Sequence, residues 1–501
     1  MSLLLSKCPC AFTHRMALRD YSIIPALVLL VLGIVGILLL VLPANEMEKP
    51  PENMFGIVLD AGSSHTSMYI YKWPADKQND TGIVTQHSEC QVKGELLPVG
   101  GGISSYAGIR GGAAESLEDC LNQAVKDVPK PRHHQTPLYL GATAGMRLLK
   151  SRSECHRVQT GTEGSGKENA VLPFQIQRGS HPEWTEEGAY GWVTVNYLLE
   201  NFAKYGFVGR WLNPGRQTIG ALDLGGASTQ IAFETSEEVE DKDNVMELKL
   251  YGQTYRLYTQ SFLCYGQDQF LRKLLALLIK TEGVKPQVSH PCYPQQFTTS
   301  VKLGPDVFDS PCTQSYKPAN FDPQRSVRVV GTGDYRSCLD NVQKLFSFEN
   351  CSYSKCSFNG VFQPNVRGSF MAFSAFFFTH SYINSLSNIS ITSPSRLKEP
   401  IQLICNMTIS EMTAKFKQKE KYMKNVCAVS NFVQVLLLQG YGFDNHSLPS
   451  ISFEKKYGPS RETRANEGSA PRALGWHSFP LHHPPPHCTG IPSDDLQKQK
   501  D

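Results

Sequence analysis

The chain has 501 residues, 19% of them charged, with a formal net charge of +3. That length supports two or three domains, each able to bury a core of its own. No basic stripe interleaved with aromatics runs along it, so nucleic acid has no electrostatic support as a partner.

Residues 1–22 read as a short cytoplasmic tail, and residues 23–42 as an uncharged apolar run of transmembrane-helix length. A cleaved signal peptide would carry a shorter apolar core of ~7–15 residues. Lys7, Arg15 and Arg19 precede the run, while Glu46 and Glu48 follow it. Positive flanks stay cytoplasmic, so everything beyond the run is expected outside the cell. Residues 43–54, with Pro50-Pro51, form a stalk.

Residues 55–185 alternate strand and helix patterns, which argues an α/β lobe. Its opening stretch, Gly56 to Tyr71, reads as an apolar strand, a turn of small residues holding Asp60, then an alternating strand. Glycine and hydroxyl residues in such a turn let backbone N–H groups point at a phosphate. A helix is expected from Leu117 to Val128, and a strand from Pro137 to Leu140 leading into Gly141-Ala142-Thr143-Ala144-Gly145. Glu186 and Glu187 open a helix expected to run to Phe202.

Residues 186–457 form the second lobe, with the start of a return to the first. The stretch Ile219 to Phe233 repeats the opening pattern around Asp223, 223 − 60 = 163 residues later. Two such hairpins a domain apart suggest two similar lobes gripping one polyphosphate. Phe270 to Lys280 reads as a helix, and the Phe-rich run Ser369 to Tyr382 as a buried core helix. Residues 458–501, rich in Arg, Pro, His and Ser, read as disordered.

Twelve cysteines follow the apolar run, none in a metal-type CxxC arrangement, as an oxidising exterior would favour. Acceptor sequons at Asn79, Asn350, Asn388, Asn406 and Asn445 agree with that side of the membrane.

Four stretches carry a specific likeness. Asp60-Ala-Gly-Ser-Ser-His-Thr-Ser67, Gly141-Ala-Thr-Ala-Gly-Met-Arg147, Glu186-Glu-Gly-Ala-Tyr-Gly-Trp192 and Asp223-Leu-Gly-Gly-Ala-Ser-Thr-Gln230 resemble, in order, the first four apyrase motifs. The chain resembles the ecto-nucleoside triphosphate diphosphohydrolases, with an amino-terminal region similar to the type-three and type-eight branch. The resemblance implies two actin-like lobes with a nucleotide cleft between them. It also implies hydrolysis of extracellular nucleoside tri- and diphosphates (ATP, ADP, UTP, UDP) with Ca²⁺ or Mg²⁺, at the plasma membrane. A homo-oligomer is compatible with it.

Carried onto this sequence, Glu187 is the base that deprotonates the attacking water, and Glu186 a solvated neighbour. Asp60 and Asp223 hold the metal through its water shell, as hard carboxylates suit Ca²⁺ and Mg²⁺. Ser63, Ser64 and His65 on one turn, and Gly225, Gly226 and Ala227 on the other, supply phosphate donors. Thr143, Ser228 and Gln230 position the water, the phosphate or the metal shell. Arg147 steadies a phosphate loop or pairs with a surface acid, and Trp192 packs. Phe362 either stacks on the nucleobase or is a core residue of a strand. The implied disulfides are Cys90–Cys120, Cys264–Cys312, Cys292–Cys338, Cys351–Cys356 and Cys405–Cys427, with Cys155 and Cys488 left over.

The chain departs from the family pattern between Lys150 and Thr185, where Pro182 interrupts an expected strand. It departs again after Tyr457, where neither the fifth motif nor a second apolar span follows and Trp476 sits in no matching motif. These departures sustain an alternative: a family member that binds nucleotide without turnover or stays in the endoplasmic reticulum.

Overall fold

A computed structural model describes residues 23–41, 52–75, 84–92, 102–109, 111–149, 175–176, 184–202, 204–205, 211–387, 389, 393–416 and 420–455. Asn79, Asn388, Cys155, Pro182, Trp476, Cys488 and the tail 458–501 lie outside the described residues. The chain divides into two units, Met1–Pro51 and Glu52–Asp501.

The first unit contains helix α1, Ile23–Val41, 19 residues without a charged side chain. Its side chains are described only over residues 25–37. Among the described residues no helix is long and apolar enough to cross a membrane.

The second unit holds two sheets built on one plan. In the first, β1 (Asn53–Ala61), β2 (Thr66–Pro74), β3 (Thr85–Gln91), β4 (Pro137–Ala142) and β5 (Gln175–Ile176) lie in the order β3-β2-β1-β4-β5. Strands β1 and β2 form the hairpin, and β1 runs parallel to β4. Helix α2, Gly112–Asp127, buries Leu117, Cys120, Leu121 and Ala124, a single helical stripe. Lys204–Tyr205 and Trp211–Leu212 (β6, β7) pair separately as a short ribbon.

The second sheet takes β8 (Gly220–Leu224), β9 (Ser228–Glu234), β10 (Val245–Leu250), β11 (Gln253–Leu263), β15 (Phe370–Ser374) and β16 (Ile451–Phe453). Their order, β10-β11-β9-β8-β15-β16, repeats the first sheet with one strand added at an edge. A small third sheet, β12 (Gln287–His290), β13 (Thr298–Lys302) and β14 (Ser326–Gly331), lies within the same half of the chain. The register repeats too: Asp60 lies opposite Ser67 across the first hairpin, and Asp223 opposite Gln230 across the second. Each carboxylate thus sits seven residues before its cross-strand partner. Separate apolar clusters fill the lobes, one around Ile57, Met68 and Leu117, the other around Leu222, Phe262 and Phe432.

One element differs from expectation. The run Ser369 to Tyr382 is not one helix: β15 occupies Phe370–Ser374, parallel to β8 and β16, and a helix follows over Ala375–Ser387. A short apolar run has no period that separates a doubly covered strand from a buried helix. The break falls at Ser374, whose φ of 57° ends the strand. All five implied disulfides are formed. The described sequon residues Asn350, Asn406 and Asn445 are exposed.

Candidate active site between the two hairpins

The turns of the two hairpins meet. A Cβ added at Gly226 would stand 2.8 Å from the Ser63 hydroxyl and 2.7 Å from Asp268 Oδ2, so a larger residue would push these two side chains aside. Behind the turns opens a cavity of about 760 Å³. Its walls include Asp60, Ser63, Ser64, His65 and Thr143 from the first lobe, with Glu187, Asp223, Gly225, Gly226, Ser228 and Gln230 from the second half of the chain. Eleven positions separated by up to 170 residues therefore share one chamber.

Helix α3 (Ala144–Arg147) and helix α4 (Trp184–Leu198) deliver the remaining chemistry. On the second sheet, Asp223, Gln230 and Ser261 lie directly opposite one another on β8, β9 and β11, and so form one row on one face. Two residues along, Ala232 and Thr259 pair in the same way. Helix α4 presses its Gly188 against that second row, where a Cβ would meet the Thr259 hydroxyl at 2.6 Å. The close approach carries Glu187 over Gln230 and Ser261. The Gln230 amide nitrogen lies 3.0 Å from Glu187 Oε2 and 2.8 Å from the Ser261 hydroxyl. Arg147 Nη2 forms an ion pair with the same carboxylate oxygen. Arg147 thus pairs with a largely buried acid rather than a surface one. Trp192 is fully buried against Phe202 and Tyr255, a packing residue.

The charges explain each other. Burial pushes Glu187 above its ordinary carboxylate value, and Arg147 is the main opposing influence. Burial lifts Asp223 to about 7, with Glu187 and Asp60 adding to the rise and a hydrogen bond from Ser374 opposing it. Asp60 is lifted toward about 6 by its depth between the lobes, with His65 opposing and Glu187 adding. Its carboxylate nonetheless opens onto the cavity and keeps much of its surface in water, which tempers that push. Asp60, Glu89, Glu187, Asp223 and Asp268 line the chamber, against Lys455 as its lysine or arginine cation. Asp223 Oδ1 is buried with no hydrogen-bond partner among the described residues. An oxygen-rich, net negative chamber with an unpartnered carboxylate oxygen fits a hard divalent cation.

Three expectations change. The Gly225 N–H closes its own turn on the Ser228 carbonyl at 3.0 Å, so it is not a phosphate donor. Ala227 is buried behind the turn and does not line the chamber. Phe362 is fully buried, edge-on to Tyr353, with its carbonyl held by the Tyr258 hydroxyl; it is the core phenylalanine, not a nucleobase platform. Among the cavity aromatics the exposed one is Phe378, at 46%, on the helix that follows β15. Phe378, Ser374 and Ser261 lie outside every motif singled out in the sequence. The sole local hint was the Phe-rich run, which marks a core as readily as a binding wall.

Two lobes of one plan, facing carboxylates and a third acid under an arginine define a two-lobed phosphohydrolase cleft. The chain belongs to the GDA1/CD39 (nucleoside phosphatase) family, whose pattern matches residues 46–460. It is 47% identical over 468 residues to ectonucleoside triphosphate diphosphohydrolase 2 of Homo sapiens, covering 92% of this chain and 88% of that one. Ectonucleoside triphosphate diphosphohydrolase 2 of Gallus gallus is 48% identical, over 86% of each chain. Ectonucleoside triphosphate diphosphohydrolase 3 of Mus musculus is 39% identical, over 92% of this chain and 86% of that one. Identity over the whole chain is therefore higher to these type-two enzymes than to the type-three enzyme that the amino-terminal region resembles. A nucleoside triphosphate hydrolase structure from Neospora caninum shares the fold, with a TM-score of 0.54 and 16% identity over 85% of this chain and 91% of that one.

Proposed function

We propose that the chain is a membrane-anchored ecto-enzyme that hydrolyses extracellular nucleoside tri- and diphosphates to monophosphates and phosphate. The observation that carries this reading is the convergence of Asp60, Glu187 and Asp223 on one chamber. Water attacks the terminal phosphorus in line. Glu187 takes its proton, and Ser228 and Gln230 hold it in place. A positioned base of this kind contributes ~10²–10⁴-fold. Asp60 and Asp223 would hold Ca²⁺ or Mg²⁺ through water; the cation supplies charge that offsets the phosphate oxygens. Ser63, Ser64, His65, Thr143 and Gly226 receive the phosphates. Phe378 offers its ring to the nucleobase, and stacking accepts several bases.

The uncharged apolar run of residues 23–42 is the sequence feature that supports the anchor, since a span needs ~20 such residues. The positive residues before it orient the amino terminus to the cytoplasm and the second unit to the exterior. The five disulfides agree with that compartment.

The test is expression of the full chain at a cell surface, with phosphate release from ATP, ADP, UTP and UDP in Ca²⁺ or Mg²⁺. Glu187→Ala is run beside it, and equal release from both removes the assignment. The rival reading draws on the departures after Tyr457. Nucleotide binding without phosphate release, or absence from surface biotinylation, would select it.

A further inference from the structure

We propose that Ser261 and Arg147 are positioning residues that, with the Gln230 amide they flank, aim the Glu187 carboxylate at the attacking water. The inference rests on the hydrolytic reading and deepens it.

Ser261 is 1% exposed and directly opposite Gln230 across β11 and β9. Its hydroxyl accepts from the Gln230 amide at 2.8 Å and from Arg147 Nη1 at 3.3 Å, and it donates to Glu187 Oε2 at 3.5 Å. One donor and two acceptor sites are thereby all used. An ionised carboxylate only accepts, so the amide that faces Glu187 Oε2 at 3.0 Å must present its nitrogen. That choice turns Gln230 Oε1 away, and this oxygen is buried without a hydrogen-bond partner among the described residues. Both Glu187 and Gln230 line the chamber.

The donors from Arg147, Gln230 and Ser261 all converge on Glu187 Oε2, which leaves Oε1 for water. Glu187 Oε1 is thereby the acceptor left for one hydrogen of the water. In the step itself the water oxygen bonds to the terminal phosphorus and the bridging P–O bond breaks. Its electron pair leaves with the remaining nucleotide phosphate. One water proton passes to Glu187 and the other stays on the new phosphate oxygen. Ser261 and Arg147 touch neither water nor substrate in this scheme; they act through Glu187.

Without the Ser261 hydroxyl the Gln230 nitrogen keeps the Ser228 hydroxyl at 2.5 Å and Glu187 Oε2 at 3.0 Å, while Glu187 Oε2 loses one of its donors; a ~1 Å misplacement at a reacting centre costs ~10²-fold. The test measures kcat and KM for ATP with Ca²⁺ on the full-length chain and on Ser261→Ala, Ser261→Thr and Arg147→Lys, with Glu187→Ala as control. Ser261→Ala is expected to lower kcat ~10–100-fold with KM within about twofold, the signature of an interaction realised at the chemical step. Ser261→Thr keeps the hydroxyl on a strand and is expected to restore most of kcat; Arg147→Lys is expected to lower kcat like Ser261→Ala. Unchanged kcat in Ser261→Ala, with Glu187→Ala inactive, overturns the positioning role and leaves the hydrolytic reading standing. A loss shared with KM that Ser261→Thr does not restore also overturns it, because it marks a packing defect. Equal turnover by wild type and Glu187→Ala removes the hydrolytic reading, and this inference with it.

Discussion

The two hairpins share strand order and a carboxylate seven residues before its cross-strand partner, yet they are dressed differently. Opposite Asp60 the first lobe places Ser67, with Gln91 next in the row. Opposite Asp223 the second lobe places Gln230 and then Ser261, with Glu187 held above them. Asp60 opens to cavity water, whereas Asp223 is partly buried and braced by Ser374. Its strand is tied further by the Thr229 hydroxyl, which donates to the Asp223 carbonyl at 2.8 Å and lies 3.0 Å from the Tyr441 hydroxyl. A duplicated scaffold thus supplies symmetric carboxylates, while the proposed general base belongs to one half alone.

That asymmetry is open to direct attack. Glu187→Gln should cost ~10³-fold in kcat while the protein still folds, read as phosphate release beside a melting curve. Next in size, Gln230→Leu should lower kcat ~10²-fold, whereas Ser67→Ala at the matching place in the first lobe should change it by less than about threefold. Comparable losses from both would dissolve the distinction between the lobes.

A smaller effect separates the two phenylalanines. Phe378→Ala should raise KM about tenfold, since stacking on one base is worth ~1–3 kcal/mol. Phe362→Ala should instead remove ~3–5 kcal/mol of stability, seen in denaturant unfolding, because it opens a cavity in a packed core. The smallest signal is thermal stability against pH in chelator. A carboxylate whose folded pKa lies above its unfolded value favours folding at low pH, and that contribution is lost as pH rises through the folded pKa. With Asp223 lifted from 3.8 to about 7, the melting temperature should fall between pH 4 and pH 7 or so. Asp223→Asn should flatten that slope more than Asp60→Asn, whose carboxylate is already in water.

Much of this arrangement is local and was therefore readable from residue order. A Gly and hydroxyl-rich turn after an apolar strand encodes its own geometry, so Asp60 and Asp223 are legible, whereas Glu187 stands out only through the family motif Glu186-Glu-Gly-Ala-Tyr-Gly-Trp192. The helix around Leu117, Leu121 and Ala124 shows its stripe in the same way. The Phe-rich run did not, because a strand covered on both faces and a buried helix present the same apolar string.

Residue order by itself determined two Gly-rich hairpins that each carry a carboxylate, one acid at a helix start and an apolar run near the amino terminus, while the five disulfide pairings followed from the family resemblance. Tertiary structure alone decided which phenylalanine meets the chamber, that Arg147 turns inward to Glu187, and that Ser261 completes the row with Gln230 and Asp223. The physical reason is distance along the chain. A turn is fixed by neighbours a few bonds away, whereas a wall exists only after strands more than 100 residues apart have chosen their register.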